Sequence, residues 1–166
     1  MTILVLGAVG NTGREVVSQL KQNSFYCKVF VKDKALAEPF HLSSSHIFEG
    51  DFNDVESLTH AMEGIHSVYF AMPAHPNNET WTRNVLQAMS AQHVNHLVKL
   101  SGLGANAQSG SSIIRTHALT DELVKASGIN YTLLQPNSFF KTYSGISTQS
   151  KPVKNSTYLS LRRNRA

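Results

Sequence analysis

A chain of 166 residues with 41% apolar side chains and moderate charge has the length for one domain with a substantial core and not for two. No stretch approaches the roughly 20 uninterrupted apolar residues of a membrane helix, the first apolar run lacks the basic flank of a signal peptide, and the lone Cys27 excludes an internal disulfide, so a cytoplasmic protein with a buried, inert thiol is expected. The net charge of +4 comes from residues 151–166, where Lys151, Lys154, Arg162, Arg163 and Arg165 meet no acid; the remainder carries ten basic against eleven acidic residues, without the basic face of a nucleic-acid reader.

The chain opens with an apolar run, Thr2 to Leu6, set directly against Gly7, Gly10 and Gly13. This order predicts a buried strand feeding a phosphate-binding turn at the start of a helix. Gly7 takes the tight turn, Gly10 lets the backbone approach a pyrophosphate, and Gly13 lets the helix pack closely on the sheet. Asn11 and Thr12 add polar groups beside the helix N-terminus, whose free amides and positive dipole end favour an anion. The spacing is G-x-x-G-x-x-G, not the better-known G-x-G-x-x-G, so its place between strand and helix carries the reading.

Asn11 to Lys21 follows as a helix with Val16, Val17 and Leu20 on one face, and Tyr26 to Val31 as a second strand. Ser45 to Glu49 predicts a short third strand, and Asp54 to Glu63 a helix capped by Asn53 or Asp54 and stopped by Gly64. A fourth strand spans Ser67 to Met72, a helix Glu79 to Ala91 turns Trp81, Val85, Leu86 and Met89 inward, and a fifth strand covers His96 to Leu100. Ile113 to Ala126 predicts a helix with Ile114, Leu119 and Leu123 as its apolar stripe, and Tyr131 to Leu134 a sixth strand. The alternation specifies an α/β, Rossmann-type, doubly wound parallel sheet of about six strands with helices on both faces. Ligand-facing loops then emerge at the strand carboxyl ends, at Gly7, Lys32, Gly50, Met72, Ser101 and Gln135. Residues 1–141 read as the dinucleotide-binding domain; from Thr142 the periodicity fails, and 142–166 read as an irregular basic tail.

Four ordered segments carry a family resemblance: Gly7-Ala-Val-Gly-Asn-Thr-Gly13-Arg14; Glu49-Gly-Asp51-Phe52-Asn-Asp54; Leu100-Ser101-Gly-Leu-Gly-Ala105; and Ser127-Gly-Ile-Asn-Tyr-Thr-Leu-Leu-Gln-Pro-Asn137. Together they resemble the NmrA-like branch of the atypical short-chain dehydrogenases/reductases, which includes the type 2 NAD(P)H:quinone oxidoreductases. The resemblance runs from residue 2 to about residue 140. It implies a dinucleotide held by Gly7, Gly10, Asn11, Thr12 and Gly13, with Asp51 and Phe52 near the adenine and Ala71, Met72 and Pro73 along the nicotinamide side. Family members are longer and end in a substrate region, so the resemblance also implies a copy cut short, with Tyr158 to Leu161 the first remnant of that region.

An Asp51 carboxylate at a strand end can accept a hydrogen bond from an adenine amino group, or can serve simply as a turn acid before a helix. Cofactor choice is read about 20 residues past the glycines, where an acid takes the ribose hydroxyls or a base takes the 2′-phosphate. Lys32-Asp33-Lys34 stands there: the lysines favour NADP(H), and Asp33 keeps NAD(H) open. The Tyr-x-x-x-Lys pair of ordinary short-chain dehydrogenases is missing, which argues against an alcohol dehydrogenase but not against reduction of a quinone. His117 and Ser101 are the candidate catalytic residues, His117 because an imidazole can deliver a proton near neutrality; Glu122, five residues on, lies off its helical face. Met72, Pro73, His75, Asn137, Phe139 and Phe140 can floor a flat acceptor. His93 and His96 lack the further ligands of a zinc site, so no metal is expected. Three functions compete: an NAD(P)H-dependent oxidoreductase acting on a quinone-like acceptor, a non-catalytic NADP(H) sensor, and a truncated inactive copy.

Overall fold

Short apolar runs that cannot turn either face to water have to be sandwiched between other layers. In the computed structural model, which describes residues 1–137 and the backbone of 159–163, they form one sheet. The elements are β1 (Thr2–Leu6), α1 (Asn11–Gln22), β2 (Tyr26–Val31), β3 (Ile47–Glu49), α2 (Val55–Ala61), β4 (Ser67–Phe70), α3 (Asn78–Ala91), β5 (His96–Leu100), α4 (Ser112–Ala126), β6 (Asn130–Pro136) and β7 (Leu159–Arg163). The strand order is β3-β2-β1-β4-β5-β6-β7. The first six in this order are parallel, as the alternation requires, and β7 pairs antiparallel with β6. Chain direction across the sheet reverses between β1 and β4, and at such a switch point the two outgoing loops part and leave a crevice.

Alternating residues of each strand feed two cores. Leu4, Leu6, Phe70, Leu97 and Leu133 pack under Leu58 of α2 and Met62 just past its end, Val85 and Met89 of α3, and Val124 of α4. On the opposite face Val5, Val29, Val31 and Tyr69 pack under Val17 of α1 and under Ala37 and Phe40 of a 3₁₀ segment, Lys34–Phe40. Full burial of each large apolar side chain is worth about 1.5–3 kcal/mol.

Several local expectations change. The third strand is shorter than read, because Ser44–His46 form a 3₁₀ turn ahead of it. Asp54, not Asn53, caps α2, its Oδ1 accepting from the amides of Glu56 and Ser57. The inward face of α4 is only partly the stripe Ile114, Leu119, Leu123: Leu123 packs against the core and Ile114 is half-buried, but Leu119 is 42% exposed, and Ala118, Asp121 and Val124 are buried. A buried acid had displaced the apolar pattern. The sixth strand runs on to Pro136, and Trp81 is only half-buried at the end of its helix facing the crevice. Phe139, Phe140 and most of the tail from 142 lie outside the described residues.

The tightest point is where β1 turns into α1. Gly7 has φ +84°, and a Cβ there would stand 2.0 Å from the Ala71 carbonyl oxygen at the end of β4. A Cβ on Gly13 would stand 2.1 Å from the Gly7 carbonyl oxygen. Gly7→Ala is therefore expected to cost roughly 2–5 kcal/mol in urea unfolding, from left-handed strain plus overpacking. Gly64, with φ +68° and open space around it, supplies the control: Gly64→Ala carries the strain alone. Equal losses at the two positions would contradict the close contact.

Candidate dinucleotide site

The glycine turn makes an anion cradle from backbone. The Gly10 amide donates to the Gly7 carbonyl at 3.1 Å, and the Arg14 Nε donates to the Val9 carbonyl at 2.8 Å, fixing the loop from both sides. Gly10 is the N-cap of α1, so no side chain caps that end, and no acid lies in the first turn. The leading amides of the helix are left for a ligand, and the dipole there favours negative charge. A Cβ on Gly10 would meet only the Gly7 carbonyl oxygen, at 3.3 Å. Protein packing therefore does not demand glycine at position 10 as it does at 7 and 13, whereas a pyrophosphate lying on the turn would.

Above the turn lies an open crevice of about 1240 Å³. It brings together Gly7, Gly10, Asn11, Thr12, Lys32, Asp51, Phe52, Ala71, Met72 and Pro73, ten of the eleven residues expected to hold a dinucleotide. Gly13 lies beneath them, packed on the turn. Lys32 follows β2, and Leu100, which ends β5, lines the other side. Adjacent strands stand about 4.8 Å apart, so these two strand ends are roughly 14 Å from each other. An extended dinucleotide with its pyrophosphate over α1 spans that distance.

Of the three charged residues after β2, only Lys32 lines the crevice. The Asp33 carboxylate accepts from the Ala35 amide at 2.8 Å and caps the 3₁₀ segment, and it does not line the crevice. Asp51 Oδ1 accepts from the Asn53 amide at 2.8 Å and from Asn53 Nδ2 at 2.7 Å. These bonds, the backbone one foremost, hold its carboxyl below the usual carboxylate range, with Lys32 adding to the effect and partial burial opposing it. Asp51 is thus a turn acid by one oxygen and a crevice residue at the same time.

Trp81, His75, Asn53 and Asn77 also line the crevice. The sequence had given Trp81 to the core because helical periodicity reports a face and not how far along that face the core extends. The His75 ring stacks on Trp81, with centroids 4.3 Å apart and planes 13° apart.

Ser101 and His117 do not line the crevice. Ser101 is buried and its hydroxyl donates to Asp121 Oδ2 at 2.6 Å. Lys99, wholly buried in β5, donates from Nζ to Asp121 Oδ1 at 2.8 Å. Burial pushes the Lys99 ammonium down from the ordinary lysine value, against the pull of Asp121. The half-buried His117 ring packs over Gly102, where an added Cβ would stand 3.1 Å from its Cδ2. Burial first, and then the Lys99 charge, lower its pKa; Asp121 opposes both. The sequence reading missed this cluster. The available signal was Asp121 at i+4 from His117, which shares a helical face where Glu122 does not, together with a lysine in the middle of an apolar strand. Among the described residues no group of three or more His, Cys, Asp or Glu is placed to hold a metal ion.

A parallel sheet with a glycine cradle at its switch point defines a Rossmann-type dinucleotide-binding domain. Residues 7–159 match the NAD(P)H-binding family, and the chain belongs to it; the resemblance to the NmrA-like atypical short-chain dehydrogenases/reductases read from the sequence stands. An NAD(P)H azoreductase of Xenophilus azovorans is 29% identical over 139 residues, covering 84% of this chain and 49% of the relative. The photosystem II assembly factor Ycf39 of Cyanophora paradoxa is 26% identical over 149 residues, 85% of this chain and 46% of the relative. The NADPH complex of the quinone oxidoreductase QOR2 from Escherichia coli superposes with a TM-score of 0.79 at 25% identity, over 86% of this chain and 51% of that one. The chain spans about half the length of the curated relatives it matches. No helix among the described residues is long and apolar enough to cross a membrane.

Removing one partner of a buried ion pair strands the other charge. Asp121→Asn is expected to cost about 3–5 kcal/mol in denaturant unfolding, and a loss below about 1 kcal/mol would contradict the pairing. The unfolded chain protonates His117 at the ordinary histidine value near 6.5, while the folded chain resists. The contribution of His117 to stability is therefore complete above that pH and is lost as pH falls from it toward the lower folded value. Comparing wild type with His117→Gln across this range should show a shallower acid slope in the variant; parallel profiles would show that His117 titrates alike in both states.

Proposed function

We propose that the chain binds NADP(H) across the carboxyl edge of its sheet and serves as the cofactor half of an oxidoreductase acting on a small flat acceptor, such as a quinone. The observation that carries this reading is the single crevice running from Lys32, over the glycine turn, to Leu100. Gly7, Gly10, Asn11, Thr12 and Gly13 would hold the pyrophosphate on the end of α1. Lys32 would take the 2′-phosphate, as a point charge without the fork of an arginine. Asp51 and Phe52 would border the adenosine, and Ala71, Met72 and Pro73 would follow the chain toward the nicotinamide.

When bound, the dinucleotide supplies a hydride donor. The chain orients it and screens part of it from water; the half-buried Met72 and Leu100 give the nicotinamide end an apolar wall. Ser101 and His117 remain the candidate proton-handling groups, and the Ser101 hydroxyl is already committed to Asp121. A quinone suits such a site, because water or a weak acid can protonate it after hydride arrives. The same commitment favours a second reading, a non-catalytic NADP(H) sensor, and the likeness to an assembly factor is in keeping with it.

Thermal unfolding with each nucleotide tests the cofactor assignment. A ligand at 100 times its Kd adds about 2.7 kcal/mol to stability, so NADPH should raise the midpoint and NADH should raise it less. Lys32→Ala should weaken NADPH about tenfold, in line with a charge-assisted contact, and leave NADH unchanged. No shift with either nucleotide would overturn the assignment. If NADPH binds, its oxidation by menadione separates enzyme from sensor.

A further inference from the structure

Between β4 and α3 the chain runs Ala71-Met72-Pro73-Ala74-His75-Pro76-Asn77, and its first three residues wall the crevice beyond β4. Pro73 and Pro76 carry no backbone donor, so side chains have to help hold this loop. The Ala71 amide bonds the Leu6 carbonyl at 3.1 Å, and at the far end the backbone amide of Asn78 donates to the His75 carbonyl at 3.2 Å. Met72 and Pro73, between these points, are gripped from one face of α3. Asn78 Nδ2 donates to the Pro73 carbonyl at 3.0 Å. Thr82, one turn on, donates from Oγ1 to the Asn78 carbonyl at 2.7 Å and stands 3.9 Å from Met72 Sδ. Residues i and i+4 share a helical face, so two successive wall residues rest on two successive turns of one helix.

Asn78 makes this grip at a cost. It is 5% exposed and lies behind the wall, off the crevice itself. A carbonyl oxygen can only accept, so the Pro73 contact fixes which end of the side-chain amide faces it and turns Oδ1 elsewhere. Among the described residues Oδ1 is the one buried side-chain nitrogen or oxygen with no hydrogen-bond partner, and a buried unpaired acceptor lowers stability. A leucine would fill a similar volume without that penalty. What asparagine supplies and leucine cannot is the donor to Pro73.

We propose that Asn78 is a positioning residue for the hydride-transfer end of the crevice: through the Pro73 carbonyl it sets the Met72–Pro73 wall against which the nicotinamide lies. The inference rests on the dinucleotide reading above. Asn78 acts from behind the wall and not by touching the cofactor. Hydride transfer is sensitive to placement, and a shift of about 1 Å can lower a rate about a hundredfold, so a wall made from a loop needs a rigid support. Helix α3 gives that support, being anchored in the core by Val85 and Met89. The adenosine end has supports of its own, Lys32 after β2 and Asp51 tied to Asn53, so loss of the Asn78 donor should disturb one end of the cofactor and spare the other.

The experiment reads the emission of bound NADPH, which comes from the dihydronicotinamide ring and is excited where Trp81 does not absorb. The full chain and its Asn78→Leu and Asn78→Asp variants are saturated with NADPH, and calorimetry gives the affinity of each for 2′,5′-ADP, which has no nicotinamide. An ionised carboxylate keeps the shape of the amide and cannot donate, so the two variants remove one bond by different means. Leucine also deletes the unpaired acceptor, which keeps the test open if the carboxylate variant folds poorly. Wild type should enhance the emission, and both variants should lose most of that enhancement while binding 2′,5′-ADP within about twofold of wild type. Full enhancement in a folded variant would overturn the role of Asn78 and leave the cofactor assignment intact. Equal loss of emission and of 2′,5′-ADP affinity would reduce Asn78 to a general support of the fold, against the proposal. NADPH binding to wild type without enhancement would place the nicotinamide away from the wall and sink the inference alone. If wild type binds neither NADPH nor 2′,5′-ADP, the cofactor reading and this inference fall together.

Discussion

The contact on which the rest of the structure depends is the approach of the Gly7 backbone to the Ala71 carbonyl, with Gly13 closing on Gly7 from the other side. Three segments from different parts of the chain meet there with no room for a methyl group. The contact fixes where β1 ends relative to β4 at the switch point, and so the width of the crevice. It also fixes the direction in which α1 presents its free amides. A side chain in this triangle would separate the strand ends and turn the helix end away, and the crevice would lose both its floor and its positive end together.

From that point the crevice divides by chemistry. The β2–β3 side is polar and aromatic, with Lys32 as a cation, Asp51 locked by Asn53, and rings behind them. The β4–β5 side is apolar, with Met72 and Leu100. The direction proposed for the dinucleotide follows this asymmetry. Behind β5 sits a separate polar cluster of Lys99, Asp121 and Ser101, sealed between sheet and α4. It ties α4 to β5 through the Lys99–Asp121 pair. One consequence is chemical: the Ser101 hydroxyl is committed to Asp121 and does not line the crevice.

The parallel, doubly wound sheet and the glycine turn were legible in the sequence because each rests on local pattern. Apolar runs of strand length alternate with helical periods, and three glycines sit together at a junction where a missing Cβ has a use. Lys32 was legible because its distance from the glycines is set by one strand-helix-strand unit. The α4 stripe was misread for a physical reason: periodicity assumes that the buried face is the apolar one, and here it holds Asp121 paired to a lysine from another element. Leu119 therefore looked inward and points out. Trp81 was misplaced because, at the start of a helix that begins at the crevice, its face borders the crevice while its neighbours Asn78 and Thr82 are buried. Such pairings depend on contacts between distant segments, which a single sequence does not print.

The central claim is that the amides at the start of α1 receive the pyrophosphate of a dinucleotide. Backbone ¹⁵N–¹H spectra of the uniformly labelled chain during titration with NADPH test it most directly. The account predicts the largest shifts at Gly10, Asn11, Thr12 and Gly13, with smaller ones at Lys32 and at the Trp81 indole, and little change at Asp121 and His117. Saturable binding that leaves the Gly10–Gly13 amides unmoved would contradict it.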